Sequence, residues 1–337
     1  MGKFEQAMLA SRCFGNGIHP LELILAGGSP LMQPEAEMVS AVIPTRNRPK
    51  LVSRATSSAL NQTWGNLEVI VVVDGPDEET SQVLGQIDDP RLRVITLEKS
   101  VGAHEARNIG VGEARGSWVA FLDDDDEWLP TKLQCQLEAG RASRWTHPLV
   151  SCGLIEKAPS GDIEWPRRQP RNSESVAEYL FLRKNSETSE IRLQTSTLMT
   201  TKKLLTRVPW RKVPNDEWDL LVRASVLEGV GLAFVPKPLS IWHSDAGAER
   251  LSLQGVTWRD DAKWFHSVRA LVGPRPYASF LLSNLSIWAR GERDWLAFFG
   301  IPWEAVRHGH PTFFEILVHT GRWILPRTLR KLLKRFT

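Results

Sequence analysis

The sequence has 337 residues, 42% of them hydrophobic, enough for one large domain or two packed ones to bury a substantial core. Its 42 Lys and Arg stand against 39 Asp and Glu, and a net charge of +3 gives no reason to expect nucleic acid as the partner. Cys13, Cys135 and Cys152 are too few and too scattered for a disulfide framework or a zinc site, the first residues lack the layout of a signal peptide, and no apolar run reaches the ~18 residues of a membrane span; a cytoplasmic protein is expected.

Residues 1–37 carry Gly27-Gly28-Ser29-Pro30 without sustained periodicity and read as an extension before the first regular domain. From Val39 onward, β-rich apolar runs at Val39–Ile43, Glu68–Val73, Leu92–Leu97 and Trp118–Leu122 alternate with helical segments at Pro49–Asn61, Glu78–Ile87 and His104–Ala114. The last of these is weakened by Gly110 and Gly112. This alternation predicts an α/β fold with a mostly parallel central sheet and helices on both faces. Regularity falls between about 130 and 215, where a strand at Leu149–Ile155 and helices at Ser175–Leu182 and Thr201–Thr206 are expected. A helix at Glu217–Leu227 and short strands at Leu232–Val235 and Leu239–Trp242 follow, and the chain beyond Arg250 reads as helical.

Ligands of open parallel sheets bind outside the carboxyl ends of the strands, where loops converge on one crevice. Three such ends carry chemistry here: Pro44-Thr45-Arg46-Asn47-Arg48 after the first strand, Asp74-Gly75 after the second, and Asp123-Asp124-Asp125-Asp126 after the fourth. Asp74 suits a base or ribose hydroxyl, although Asp-Gly taken alone is more often a turn. Four successive carboxylates after the apolar Trp118–Leu122 have no basic neighbour in sequence, so their crowding calls for water or a cation. In an extended segment Asp123 and Asp125 face the same way and Asp124 faces away. Hard carboxylate oxygens suit Mg²⁺ or Mn²⁺ and leave positions for substrate phosphates. The plain alternative is a solvated acidic loop.

These segments resemble the family 2 glycosyltransferases of GT-A fold. Val42–Arg48 resembles the family's opening strand and nucleotide loop, Ser58–Thr63 the helix after it, and Glu68–Gly75 the second strand with its nucleotide-contacting aspartate, Asp74; Val73 replaces a first aspartate that many members carry. Gly102-Ala103 and Ala106-Arg107-Asn108-Ile109-Gly110 match the GxxxARNxG segment, and Phe121–Trp128 is similar to the DxD motif with its following tryptophan. Gln194–Met199 resembles the acceptor-side segment. Asp216–Leu221 resembles the motif that supplies the catalytic base, with Glu217 where aspartate is usual and Asp216 or Asp219 as alternatives. Pro238–His243 and Arg250-Leu251-Ser252 resemble the closing strand and loop.

The resemblance implies an inverting transfer of a sugar from a nucleoside-diphosphate sugar, with uridine the usual base, to an acceptor hydroxyl. It implies Mn²⁺ or Mg²⁺ held by Asp123, Asp125 and His243, Arg250 on the diphosphate, and Pro44, Thr45, Arg46, Asn47, Asp74, Gly102, Arg107 and Asp124 at the nucleotide. Residues 38–250 would form the GT-A domain, with a nucleotide-binding half at 38–130 and an acceptor half at 131–250, and 251–337 a helical C-terminal region. The acceptor, whether carbohydrate, lipid-linked or protein, is not legible, although Trp145, Trp165 and Trp210 are candidates to stack on sugars. A non-catalytic nucleotide-sugar-binding relic of the fold is the main rival, and a nucleotidyltransferase, which would show a glycine-rich basic signature, the lesser one. Residues 322–337 hold six cations and no acid, with Leu325, Leu329, Leu332 and Phe336 at helical spacing, which suits either an anionic membrane surface or packing on the domain.

Overall fold

The computed structural model describes residues 37–171, 173–183, 190–244 and 256–325. Its elements in chain order begin β1 (Val39–Thr45), α1 (Pro49–Leu60), β2 (Leu67–Val73), α2 (Glu78–Gly85), β3 (Leu92–Thr96), α3 (Ala103–Glu113), β4 (Trp118–Phe121), β5 (Glu127–Trp128) and α4 (Lys132–Ala142). Next come β6 (His147–Ala158), β7 (Gly161–Trp165), α5 (Val176–Phe181), β8 (Met199–Thr201), α6 (Lys202–Arg207), α7 (Asp216–Ser225) and β9 (Val230–His243). The C-terminal helices are α8 (Trp258–Ser267), α9 (Arg269–Val272), α10 (Pro274–Phe280), α11 (Ser286–Gly291), α12 (Ala297–His308) and α13 (Phe313–Ile324), with a π turn at Leu281–Leu285.

The chain divides into two compact units. One comprises residues up to Pro170 with Glu190–Lys212 and Ala224–Ala248, and the other comprises Arg171–Ser189, Val213–Arg223 and Glu249–Thr337. The helical part is therefore larger than the expected 251–337, because α5 and most of α7 belong to it.

The first unit is built on a nine-stranded sheet of order β3-β2-β1-β4-β8-β6-β9-β5, with β7 paired to β6. Strands β1 to β4 are parallel, as their apolar runs alternating with helices predict; every residue of β1 and β2 is buried, which a sheet covered on both faces demands. Helix α1 starts on Pro49 and buries Val52, Ala55, Thr56, Ala59 and Leu60, the 3.6-residue stripe that seats it on the sheet. Strands β5, β7 and β8 are too short or too polar to announce themselves. The two strands expected at 232–235 and 239–242 are one element, β9. Pro236 and Pro238 interrupt its pattern, and its parallel pairing with β6 shifts register at Cys152 and Gly153.

The second unit packs around aromatic rings: the centroids of Phe265 and Phe280 lie 4.1 Å apart, those of Phe181 and Phe265 4.9 Å, and those of Phe181 and Phe280 5.2 Å. All three side chains are fully buried.

Candidate functional site

Sheet register brings the first two strand ends level. Thr45 of β1 pairs with Val73 of β2, and Asp74 N donates to Thr45 O over 2.8 Å. Asp74 is buried, and its carboxylate is shared within the chain: Oδ1 accepts from Val101 N at 2.6 Å, and Oδ2 from Ser100 Oγ at 2.8 Å and Gly102 N at 3.0 Å. Arg46 Nη1 donates to the same Ser100 hydroxyl at 3.0 Å. Asn47 takes a left-handed φ of 55°, which asparagine tolerates, and its amide donates to Asp77 Oδ2 at 2.7 Å. The loops after β1, β2 and β3 are thus tied together, and Asp74 with Gly102 forms one of the ties.

Strand β4 delivers the acidic run to this edge, because Phe121 pairs with Val42 and Leu122 N donates to Val42 O at 3.1 Å. The run is a turn rather than an extended segment. Asp126 N donates to Asp123 O at 3.1 Å, so the alternation expected of a strand does not decide which carboxylates share a direction. Cations absent from the local sequence arrive from elsewhere: Arg107 Nη2 donates to Asp123 Oδ1 at 2.7 Å, Arg48 Nη1 lies 3.0 Å from Asp124 Oδ1 and 3.3 Å from Asp125 Oδ2, and Arg54 Nη2 donates to Asp125 O at 2.6 Å. Asp124 is buried and also accepts from Thr45 Oγ1 at 2.8 Å. Burial pushes its carboxyl up to about 6 although Arg48 pulls it down. Asp126, wholly buried, accepts from Ser196 Oγ at 2.5 Å and is pushed well above the usual carboxylate range by burial and by Asp123 and Asp125; its Oδ1 has no hydrogen-bond partner.

Asp123 and Asp125 are the two members whose side chains reach solvent, at 31% and 26% exposure. Their oxygens fit Mg²⁺ or Mn²⁺ in the form such ions take beside phosphates, with one or two protein carboxylates. His243 Nε2 lies 2.7 Å from Glu127 Oε1, next to the turn, and among the described residues no three His, Cys, Asp or Glu groups converge on a metal position. Arg250 lies outside the described residues.

The acid motif of α7 belongs to the second unit. Asp219 is buried, accepting from Arg223 Nε at 2.6 Å and Trp264 Nε1 at 3.1 Å, so both oxygens are committed to packing and the alternative of Asp219 as a base falls away. Asp216 Oδ1 accepts from the Glu217 amide at 3.0 Å, in the first turn of α7 where the backbone N–H groups need acceptors. The tryptophans are also engaged. Trp210 is buried with the Arg107 guanidinium 4.7 Å from its ring centroid, Trp165 is buried with its Nε1 on Glu156, and Trp145 packs on Gly231; the expectation that Trp165 and Trp210 stack on sugars is corrected by their burial.

Several contributors were not singled out from sequence. Arg48 stood inside the first loop and Ser196 inside the Gln194–Met199 segment, so both were visible in motifs without a role. Arg54, six residues further along and within α1, carried no local signal. Asn108 brackets Trp210 by donating to its carbonyl at 3.0 Å and accepting from its amide at 2.9 Å, which a spacing of 102 residues conceals.

Residues 40–207, about half of the chain, match the sequence model of the family described as Glycosyl transferase family 2. The succinoglycan biosynthesis protein ExoO of Rhizobium meliloti is 39% identical over 105 residues, 31% of this chain and 30% of that protein. WfgD of Escherichia coli, a UDP-Glc:alpha-D-GlcNAc-diphosphoundecaprenol beta-1,3-glucosyltransferase, is 36% identical over 100 residues, 30% of this chain and 40% of its own. The Campylobacter jejuni GalNAc(5)-diNAcBac-PP-undecaprenol beta-1,3-glucosyltransferase is 34% identical over 147 residues, 43% of this chain and 47% of its own. The chain thus spans less than half the length of these curated relatives. Among solved structures, residues 1–349 of S. aureus TarS with UDP-GlcNAc superpose with a TM-score of 0.60 at 17% identity, covering 85% of this chain and 87% of that one, which establishes the GT-A type of fold. The matched stretch opens in β1 and runs through the acidic turn to the end of α6, and the chain belongs to glycosyltransferase family 2.

Proposed function

We propose that this chain transfers a sugar, with inversion, from a nucleoside-diphosphate sugar, uridine being the base, to a hydroxyl of a lipid-linked acceptor. The observation that carries the reading is the acidic turn, which presents Asp123 and Asp125 to solvent beside the loops that Asp74 and Arg46 tie together. A divalent ion bound by Asp123 and Asp125 would supply charge stabilisation to the departing diphosphate. Arg107 holds the Asp123 carboxylate, Arg48 braces Asp124 and Asp125 against Thr45, and the Asp74 ties fix the loop at 100–102 so that its backbone meets the nucleotide in one conformation. Glu217 is the group that takes the acceptor proton, as the family motif implies and as the commitments of Asp219 leave open. The lipid-linked acceptor rests on the printed names of the E. coli and C. jejuni relatives, both of which act on undecaprenol diphosphate-linked sugars.

The test is release of nucleoside diphosphate from a panel of nucleotide sugars by the purified chain, with Mn²⁺ and with chelator. Metal-dependent release from one donor supports transfer. Donor binding without turnover, across lipid-linked and soluble acceptors, would establish the relic of the fold instead.

A further inference from the structure

The second unit ends in two helices whose outer sides are apolar. Helix α12 buries Ala297, Ile301 and Ala305 and presents Phe299 and Trp303 outward, one helical turn apart, at 74% and 68% exposure; Leu296, just before it, is 79% exposed. Helix α13 buries His319 and Trp323 and presents Phe313, Leu317 and Ile324. The helices are neighbours: the Phe298 ring stacks on His319 with centroids 5.7 Å apart, and His319 Nε2 meets Phe298 O at 3.0 Å. Large apolar side chains gathered this way on a soluble surface mark a place where something else excludes water.

The charge of the sequence that carries this face selects the occupant. Residues 295–337 hold seven Lys or Arg and two acids, Glu304 and Glu315. Both acids are already paired, Glu304 with His266 and Tyr277 at 2.8 Å each and Glu315 with Arg275 at 2.8 Å. The described chain stops at Leu325, directly after α13, and the twelve residues beyond it contain five Lys or Arg and no acid. A second copy docking through this face would bring like charges together, whereas an anionic lipid leaflet supplies the opposite charge and an interface in which tryptophan is at home. No described helix is long and apolar enough to cross a membrane, so the contact is one of lying on the surface.

We infer that the outer face of α12 and α13 docks this chain on an anionic bilayer. The inference does not depend on the transfer reaction, and its test does not use it. The full chain is sedimented with vesicles of phosphatidylcholine containing phosphatidylglycerol and with vesicles of phosphatidylcholine alone. The expected result is binding to the anionic vesicles, weaker binding to the neutral ones, and at least about a tenfold loss of anionic-vesicle binding in the Phe299→Glu/Trp303→Glu variant, whose melting temperature stays within a few degrees because both side chains are exposed. Equal binding by that variant, or no binding by the unaltered chain, overturns the inference. So does light scattering that finds a dimer which the double variant turns into a monomer, since a second copy would then cover the face.

Discussion

Arg107 donates from Nη2 to Asp123 Oδ1 over 2.7 Å while its guanidinium carbon sits 4.7 Å from the centroid of the Trp210 ring. One buried cation therefore orients an acid of the candidate site and is itself fixed by a residue 103 positions away in sequence. Replacing it with alanine removes a charge-assisted bond and a ring contact together, a loss of about 2–4 kcal/mol in unfolding free energy. Arg107→Lys keeps the charge but not the planar fork, so stability should fall less while donor affinity still drops. Urea unfolding of both variants beside donor titration checks this. Full donor affinity in Arg107→Ala would show that Asp123 does not depend on it.

The two middle members of the acidic run differ in what they do for the fold. Asp124 is closed to solvent and holds Thr45 and Arg48, so Asp124→Ala should cost about 2–3 kcal/mol, because it leaves buried donors unpaired. Asp125 is partly exposed, and Asp125→Ala should change stability by no more than about 0.5–1 kcal/mol. Burial and partners, 9% side-chain exposure against 26%, set that order for stability. Thermal melts of the pair decide it.

Much of the sheet and of the candidate site was legible because parallel strands write long apolar runs and the family motifs sit at their ends. Asp74 and Asp123 stand at one edge of the sheet, where their positions after β2 and β4 put them. The extended reading of Asp123–Asp126 missed the turn, which depends on Ser196 reaching the run from 70 residues away. The arginines that relieve the acids come from a loop, α1 and α3, so local charge reading saw crowding without its remedy. Gly110 shows the same limit from the other side. It weakened the helix prediction for α3, yet a Cβ there would stand 2.4 Å from Val42 Cγ1, so the glycine is what lets the helix approach β1. The earlier segments of the second unit escaped notice for a related reason: α5 carries Phe181 into an aromatic core whose other members lie about 85–100 residues later, a partnership that no local pattern reports.

Lys132 gives the protein a pH signature. Its ammonium is wholly buried, donates to Gln136 Oε1 at 2.7 Å and lies 4.0 Å from the Trp128 ring centroid. Burial lowers it from 10.5 to about 8. The unfolded chain therefore holds more protons between about pH 8 and 10.5, and this group's contribution to stability rises with pH across that window. Relative to Lys132→Met, the unaltered protein should gain about 3 kcal/mol between pH 7 and pH 10.5. Denaturant unfolding of both proteins at the two pH values measures it. A constant difference would mean that Lys132 is not depressed.

Glu217 and Asp219 should separate cleanly. Glu217→Gln is expected to lower turnover by about a hundredfold or more with donor affinity and melting temperature unchanged, as loss of a general base does. Asp219→Asn should instead lower the melting temperature, since it loosens the bonds to Arg223 and Trp264. Equal turnover in Glu217→Gln and the unaltered protein would move the base elsewhere.

The proposed role of the Asp123 and Asp125 carboxylates, to meet the metal and the diphosphate, is tested most directly by calorimetric titration of UDP. The unaltered chain should bind UDP in the presence of Mn²⁺ and lose at least about tenfold in affinity when the metal is chelated, and Asp125→Ala should show the weaker affinity with or without Mn²⁺ while its melting temperature is retained. Tight binding by Asp125→Ala that still responds to Mn²⁺ would contradict the account.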